Sequence, residues 1–317
     1  MKRDTRRAIL DMAKTLFSQQ GYNAVSIGEI AGALGISKGN VTYHFKRKED
    51  IMEALLAEAR QLADSGVKEL IVIAQDITRY GMDLEEPTSL AGLLKELCKL
   101  DFHWIRLHYL YPEVITDELI DTIAREKKIV HYLDIPIQHC NDGILKAMRR
   151  RNTRAELEDL FDRLRRAIPD LVVRTSLICG LPGEGEAEFE ELCQFLREQK
   201  LQRVGVFQFS PEEGTLAAAM EDQVDPETAA RRVELVVDLQ SRIMDEYNEA
   251  RLGTVMEVLC EGFDAQAGCF AGRTYADSVE IDGRVLFTAA GAVPAGSFVN
   301  VRITGVSDGE LTGEIEE

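Results

Sequence analysis

The sequence predicts an α/β protein in three parts: a helix-turn-helix head, an incomplete parallel (β/α) barrel and a small C-terminal β-barrel. Three observations predict it. Apolar residues recur at three- and four-residue intervals through the first 63 residues, which marks consecutive amphipathic helices. Short apolar runs then alternate with helical stretches from Glu69 to Ala250, the pattern of a parallel sheet. After Gly253, period-two runs such as Val255 to Leu259 and Phe298 to Ile303 are punctuated by glycines, as in a small barrel.

In the head, Ala8, Ile9, Met12, Ala13, Leu16 and Phe17 form one face of a helix from Thr5 to Gln20 that stops at Gly21. Ser26 can cap a short helix carrying Ile27, Ile30, Ala31 and Leu34, Gly35 permits a tight turn, and Ser37 can cap a third helix over Lys38 to Phe45. Val25-Ser26-Ile27, Glu29-Ile30-Ala31, Leu34-Gly35-Ile36-Ser37, Asn40, Tyr43-His44-Phe45 and Lys48-Glu49-Asp50 together resemble the DNA-binding domains of the TetR family. That resemblance implies a third helix in the major groove. Ser37, Lys38, Thr42, Tyr43 and His44 would face DNA, Lys48 would sit on a phosphate, and Phe45 would be core. DNA binding through the head is expected to be weak, because such proteins dimerise through a helical C-terminal domain that is not recognisable downstream.

The body begins as the helix Glu49 to Ala63, with Ile51, Leu55, Ala59 and Leu62 on a common face. Strands are expected at Glu69 to Ala74, Trp104 to Leu110, Tyr132 to Ile135, Leu171 to Ile178 and Val204 to Phe209. The helices between them are expected at Ser89 to Leu100, Asp117 to Glu126, Arg154 to Ala167 and Glu186 to Glu198. Ligands of such sheets sit at the carboxyl ends of the strands. The candidate cofactor-binding residues there are Gln75, Asp76, Gln138, Gly180, Pro182 and Gly183. Gly180-Leu181-Pro182-Gly183-Glu184 allows close backbone approach to a ligand before a helix start, although the same turn also serves as a purely structural connection.

Ala74-Gln75-Asp76 with Thr78-Arg79-Tyr80-Gly81, Tyr111-Pro112, Pro136-Ile137-Gln138-His139 and Gly272-Arg273-Thr274-Tyr275-Ala276-Asp277 resemble the RimO-type branch of the radical S-adenosylmethionine methylthiotransferases. The resemblance runs over residues 54–317 and takes in a TRAM domain at the end. It implies S-adenosylmethionine as cofactor, an iron–sulfur cluster held by a CxxxCxxC loop, and methylthiolation of an aspartate in a basic small-subunit ribosomal protein. The three parts are then residues 1–53, 54–250 and 251–317.

The family pattern breaks at the cysteines. The six stand at 98, 140, 179, 193, 260 and 269, with no CxxC, CxxxC or paired zinc spacing. The plain reading is reduced cysteines used as small apolar residues. His103, His108, His131 and His139 have no helical ligand spacing, so no metal site and no catalytic residue is assigned. The chain reads as a chimera of a DNA-binding head and a truncated methylthiotransferase, inactive alone. The alternative is a TetR-like regulator whose barrel senses a ligand such as S-adenosylmethionine.

Net charge is −18 and unevenly spread. Residues 1–53 carry nine Lys/Arg against six Asp/Glu, whereas residues 253–317 carry three arginines against eleven acids. The head suits a phosphate backbone and the tail suits a basic protein. No apolar run approaches the roughly 18–20 residues that span a bilayer, so no membrane partner is expected and the chain reads as cytoplasmic.

Overall fold

The computed structural model describes residues 5–20, 25–44, 48–82, 89–307 and 309–316. The chain divides into two compact units, residues 1–130 and 131–317.

The first unit opens with α1 (Thr5–Gln20), α2 (Ile27–Leu34), α3 (Lys38–His44) and α4 (Lys48–Asp64). Their order follows from the caps. The Ser26 hydroxyl accepts from the Glu29 amide at 3.2 Å while the Glu29 carboxylate accepts from the Ser26 amide at 2.6 Å, a reciprocal box that starts α2. Gly35 ends it in the left-handed region at φ 65°, where a side chain would be strained. Ser37 Oγ then accepts from the Asn40 amide at 3.2 Å and starts α3. Ile9, Leu10, Ala13, Leu16, Val25, Ile30, Ala31 and Val41 form the buried core of these helices. Phe45 and the Lys48 side chain lie outside the described residues. On α4 the expected face needs correction: Leu62 is exposed and Ala63 is buried in its place, because Ala63 stands four residues after the buried Ala59, in the same row of the helix.

After α4, β1 (Glu69–Val72) pairs in parallel with β2 (Trp104–Leu107), with α5 (Leu90–Leu97) between them and α6 (Asp117–Arg125) following. Both strands are shorter than the sequence suggests. β2 stops at Leu107 because Tyr109 takes a positive φ of 60°, which no strand accommodates. The fully buried Arg106 donates from Nε to Glu69 Oε1 at 2.7 Å across the pair, so the charge is matched where water is excluded.

In the second unit β3 (Ile129–Asp134), β4 (Val172–Cys179) and β5 (Arg203–Gln208) are parallel, with Tyr132 opposite Val172 and Arg174 opposite Arg203. The connecting helices are α7 (Asp142–Ala147), α8 (Arg154–Ala167) and α9 (Glu186–Gln199), and α10 (Pro226–Glu249) follows β5. α7 is absent from the sequence reading: it is a six-residue helix started by Asn141 Oδ1, which accepts from the Ile144 amide at 3.1 Å. Five strands, β6 (Val255–Asp264), β7 (Cys269–Arg273), β8 (Val285–Thr288), β9 (Phe298–Ser307) and β10 (Glu310–Ile315), close into a barrel in the order β10-β8-β7-β6-β9. Val258, Val285, Phe287, Val301 and Ile303 fill it.

This barrel is bolted to the sheet by polar contacts. Arg203 Nη2 donates to Asp277 Oδ1 at 2.8 Å in a buried pair, and Tyr132 Oη donates to Asp282 Oδ2 at 2.6 Å. Asp277 Oδ2 also accepts from the Thr274 hydroxyl at 2.6 Å and the Thr274 amide at 3.1 Å. The Gly272-to-Asp277 motif is therefore a joint between barrel and sheet. Among the described residues no helix is long and apolar enough to cross a membrane.

Candidate functional site

β4 is buried on one face, Val173, Thr175, Leu177 and Cys179, and half-buried on the other, Arg174, Ser176 and Ile178. Strands of a sheet covered on both sides lack this asymmetry, so the second face is the one open to a ligand. Gln138 is held beside it as an extra rung: its amide donates to Ser176 O and its carbonyl accepts from the Ile178 amide, both at 2.9 Å. Its φ of 70° re-aims the chain at that point. The Gln138 side-chain amide has no hydrogen-bond partner among the described residues.

The turn after β4 is built on Gly180, at φ 82°. A Cβ there would stand 2.4 Å from the Ala229 Cβ on α10, so only glycine lets α10 approach. The Gly180 amide donates to both carboxylate oxygens of Glu184, at 3.1 and 3.0 Å, and the Gly183 amide donates to Asp222 O at 2.7 Å. Pro182 is buried and Gly183 exposed. Both glycine amides are already taken, Gly180 by Glu184 within the turn and Gly183 by Asp222 outside it, so these two offer a ligand close approach and not donors. Gln138 and the Gly180–Gly183 turn lie at the carboxyl ends of adjacent strands, as expected. Gln75 and Asp76 belong to the first unit. Gln75 is exposed, and Asp76 caps a short turn by accepting from the Thr78 amide at 3.0 Å and from Arg79 Nε at 2.8 Å.

Beneath the turn lies a buried polar centre. Arg232 on α10 donates from Nη1 to Glu184 Oε1 at 3.0 Å and to Glu184 O at 2.6 Å, and its guanidinium stacks over the Phe189 ring at 5.2 Å. Burial pushes the Glu184 carboxyl up, against the lowering effect of the Gly180 amide and of Arg232. His139 Nε2 faces Glu184 Oε2 at 3.6 Å. The two are not an ion pair: His139 Nδ1 accepts from the Asn141 amide at 3.0 Å, and burial pushes the imidazole down to about 4, so the ring is neutral and Nε2 carries its proton. Arg232 was not among the residues picked from the sequence. Its signal was there, as a charged residue in the apolar stripe Ala229, Arg232, Val236, Gln240 and Ile243 of α10.

The cysteines do not fit an iron–sulfur cluster, which needs clustered thiolates. Cys140 donates to Glu191 O at 3.7 Å, and burial pushes its thiol up to about 12, as it does that of Cys179. Burial likewise lifts Cys98 to about 11 and raises Cys193 and Cys260. Among the described residues no group of three His, Cys, Asp or Glu is placed to hold a metal.

Ser37 just before α3 and Lys38 and Tyr43 on it are exposed, Tyr43 at 82%. Thr42 is half-buried and turns its hydroxyl back on its own helix, to Lys38 O and Gly39 O at 3.2 Å. His44 is half-buried, edge-on to Tyr43 with ring centroids 5.1 Å apart.

The radical SAM superfamily model matches residues 24–196 and a TRAM domain model matches residues 252–315. The ribosomal protein uS12 methylthiotransferase RimO of Caldanaerobacter subterraneus subsp. tengcongensis is 44% identical over 270 residues, 85% of this chain and 61% of that protein. The protein of the same name from Clostridium acetobutylicum is 38% identical over 306 residues, 93% of this chain and 68% of that one. Coproporphyrinogen III oxidase HemN from Escherichia coli, a radical SAM enzyme, overlays with a TM-score of 0.48 at 17% identity, over 61% of this chain and 45% of that one. The chain belongs to the radical SAM superfamily and, within it, to the RimO-type methylthiotransferases. It spans about three fifths of the length of curated relatives such as the Caldanaerobacter protein.

Proposed function

We propose that this chain is the substrate- and S-adenosylmethionine-binding body of a RimO-type methylthiotransferase, and that it does not perform the radical step by itself. S-adenosylmethionine would lie on the half-open face of β4, against Gln138, Gly180, Pro182 and Gly183. When bound with a cluster, that cofactor supplies the family's radical chemistry. The protein substrate is the basic small-subunit ribosomal protein after which the relatives are named, uS12, drawn by the tail's eleven acids against three arginines. The observation that carries the inactivity is the placement of the six cysteines, separated in sequence and, for five of them, held as thiols. Anaerobic reconstitution with iron and sulfide should leave the chain without a stoichiometric cluster and without 5′-deoxyadenosine. About four irons per chain together with turnover would overturn the reading.

The three-part division at residues 53/54 and 250/251 belongs to the same proposal, with residues 1–53 as a helix-turn-helix head of TetR type. The exposure of Ser37, Lys38 and Tyr43 at α3 favours it. Binding to duplex DNA should be weak and fall steeply with salt, and Lys38→Gln should weaken all duplexes alike. Affinity unchanged by Lys38→Gln and by salt would remove the head's role.

A further inference from the structure

We propose that an open cleft running along β5 is the track on which an extended, basic polypeptide segment docks, pairing with the free edge of that strand. The proposal rests on the reading that the substrate is a protein, and it gives that substrate a place.

The cleft has a volume of about 520 Å³, within the range of roughly 300–1,000 Å³ typical of ligand sites. Its walls come from three parts of the second unit. Arg174, Arg203 and Phe207 come from β4 and β5, Val237 from α10, and Ile281 and Asp282 from the loop before β8. β5 is the end strand of its sheet. The Phe209 amide donates to Cys179 O, so by the alternation of a strand Val204, Val206 and Gln208 turn their peptide groups toward the other edge, where no strand lies among the described residues. Such an edge recruits an extended chain unless something covers it.

Apolar exposure coincides with that edge. Phe207 is 53% exposed, Val237 50% and Ile281 51%, although they stand on three different elements around one cleft. Strands of parallel sheets are ordinarily covered on both faces, so an exposed Phe207 in β5 is out of keeping with a finished surface. The polar floor is neutralised in place. Arg174 Nη1 is paired with Asp134 at 2.8 Å, Arg203 with Asp277 at 2.8 Å, and Asp282 accepts from Tyr132. Counting those groups, the floor is close to neutral and suits uncharged backbone and an inserted apolar side chain. Beyond it, residues 131–317 carry 19 Lys/Arg against 35 Asp/Glu, which selects a segment with flanking basic residues.

The shape argues for a chain and against a compact ligand. The lining runs from Arg203 to Phe207, a rise of roughly 13 Å along a strand, and it points toward the carboxyl ends where Gln138 and Gly180 stand. The barrel supplies one wall because the Arg203–Asp277 and Tyr132–Asp282 contacts fix it there.

The test compares the full chain with Phe207→Asp and Ile281→Asp, using Phe263→Asp, an exposed barrel residue outside the cleft, as control, each checked for native thermal unfolding. Binding of purified ribosomal protein uS12 and, separately, of a synthetic Lys-Val-Lys-Val-Lys peptide is followed by fluorescence anisotropy. Each cleft variant should weaken uS12 binding by about tenfold or more, as for loss of a central interface contact, and the control should not. If uS12 binds and the cleft variants match wild type, the cleft proposal is wrong and the protein-substrate reading stands. If only the synthetic peptide binds, and Phe207→Asp abolishes it, the cleft stands and the uS12 reading falls. Binding of neither overturns both.

Discussion

Arg232→Met should destabilise residues 131–317 by about 3–5 kcal/mol, the range for removing one partner of a buried ion pair. The loss follows from what Arg232 leaves behind. Glu184 is fully buried, and without the guanidinium its carboxylate is left with backbone amides of its own turn, Gly180 foremost, and no balancing charge. Methionine retains the packing of the stem, so lost volume contributes little, and the guanidinium's place over Phe189 is lost together with the charge. The defect should be milder in acid. Burial already raises the Glu184 carboxyl, and removing Arg232 raises it further, so the folded state takes up a proton that the unfolded state does not hold until lower pH. A group with a raised folded pKa of this kind contributes stability at low pH and loses it as pH rises through the folded value. The difference between variant and wild type should therefore shrink from pH 8 to pH 5 in urea unfolding curves. Adding Glu184→Gln to Arg232→Met should recover part of the loss. A single variant within about 1 kcal/mol of wild type at both pH values would show that this pair does not hold the turn.

That pair also marks the limit of what the sequence discloses. α1 runs from Thr5 to Gln20 as its apolar periodicity requires, and α8 and α9 fall within a residue of their expected spans, because each is long and amphipathic. α7 was missed because six residues are too few to show a period. β7, β8 and β10 were hard to separate from turns because glycines lie in or beside them: Gly272 in β7, Gly283 just before β8 and Gly313 in β10. Within the site, Gln138, Gly180 and Glu184 were legible as strand-end residues. Their partners were not. Arg232 is 48 residues from Glu184, and Arg203 is 74 from Asp277. Such pairings depend on how α10 and the barrel pack on the sheet, which no local pattern encodes. The Gly272-to-Asp277 motif was legible as a family marker, while its work as a joint became clear only from the contacts of Asp277.

His139 should make the second unit acid-sensitive, by about 2 kcal/mol between pH 7.5 and pH 5 and about 3 kcal/mol by pH 4. Its imidazole is pushed down to about 4 in the folded chain, chiefly by burial and also by Arg232 on α10, against the opposite pull of Glu191 and Glu188 on α9. The unfolded chain binds the proton near pH 6.5. Because the folded pKa is the lower one, the contribution is complete above about pH 6.5 and is lost as pH falls toward 4. The geometry gives the cause. Nδ1 accepts from the Asn141 amide at 3.0 Å, and a second ring proton would set two donors face to face in a site with no water-accessible alternative. Glu184 pulls the other way over the same interval, since its raised carboxyl favours the folded state in acid, so wild-type curves alone mix the two. His139→Gln isolates the histidine: glutamine can still accept from the Asn141 amide and does not titrate. Its stability relative to wild type should therefore rise steadily between pH 7.5 and pH 4.5 in parallel urea titrations. Parallel loss of stability in the two proteins over that interval would mean that His139 takes up its proton at the same pH in the folded and unfolded chain, and the burial-driven shift assigned to it would be wrong.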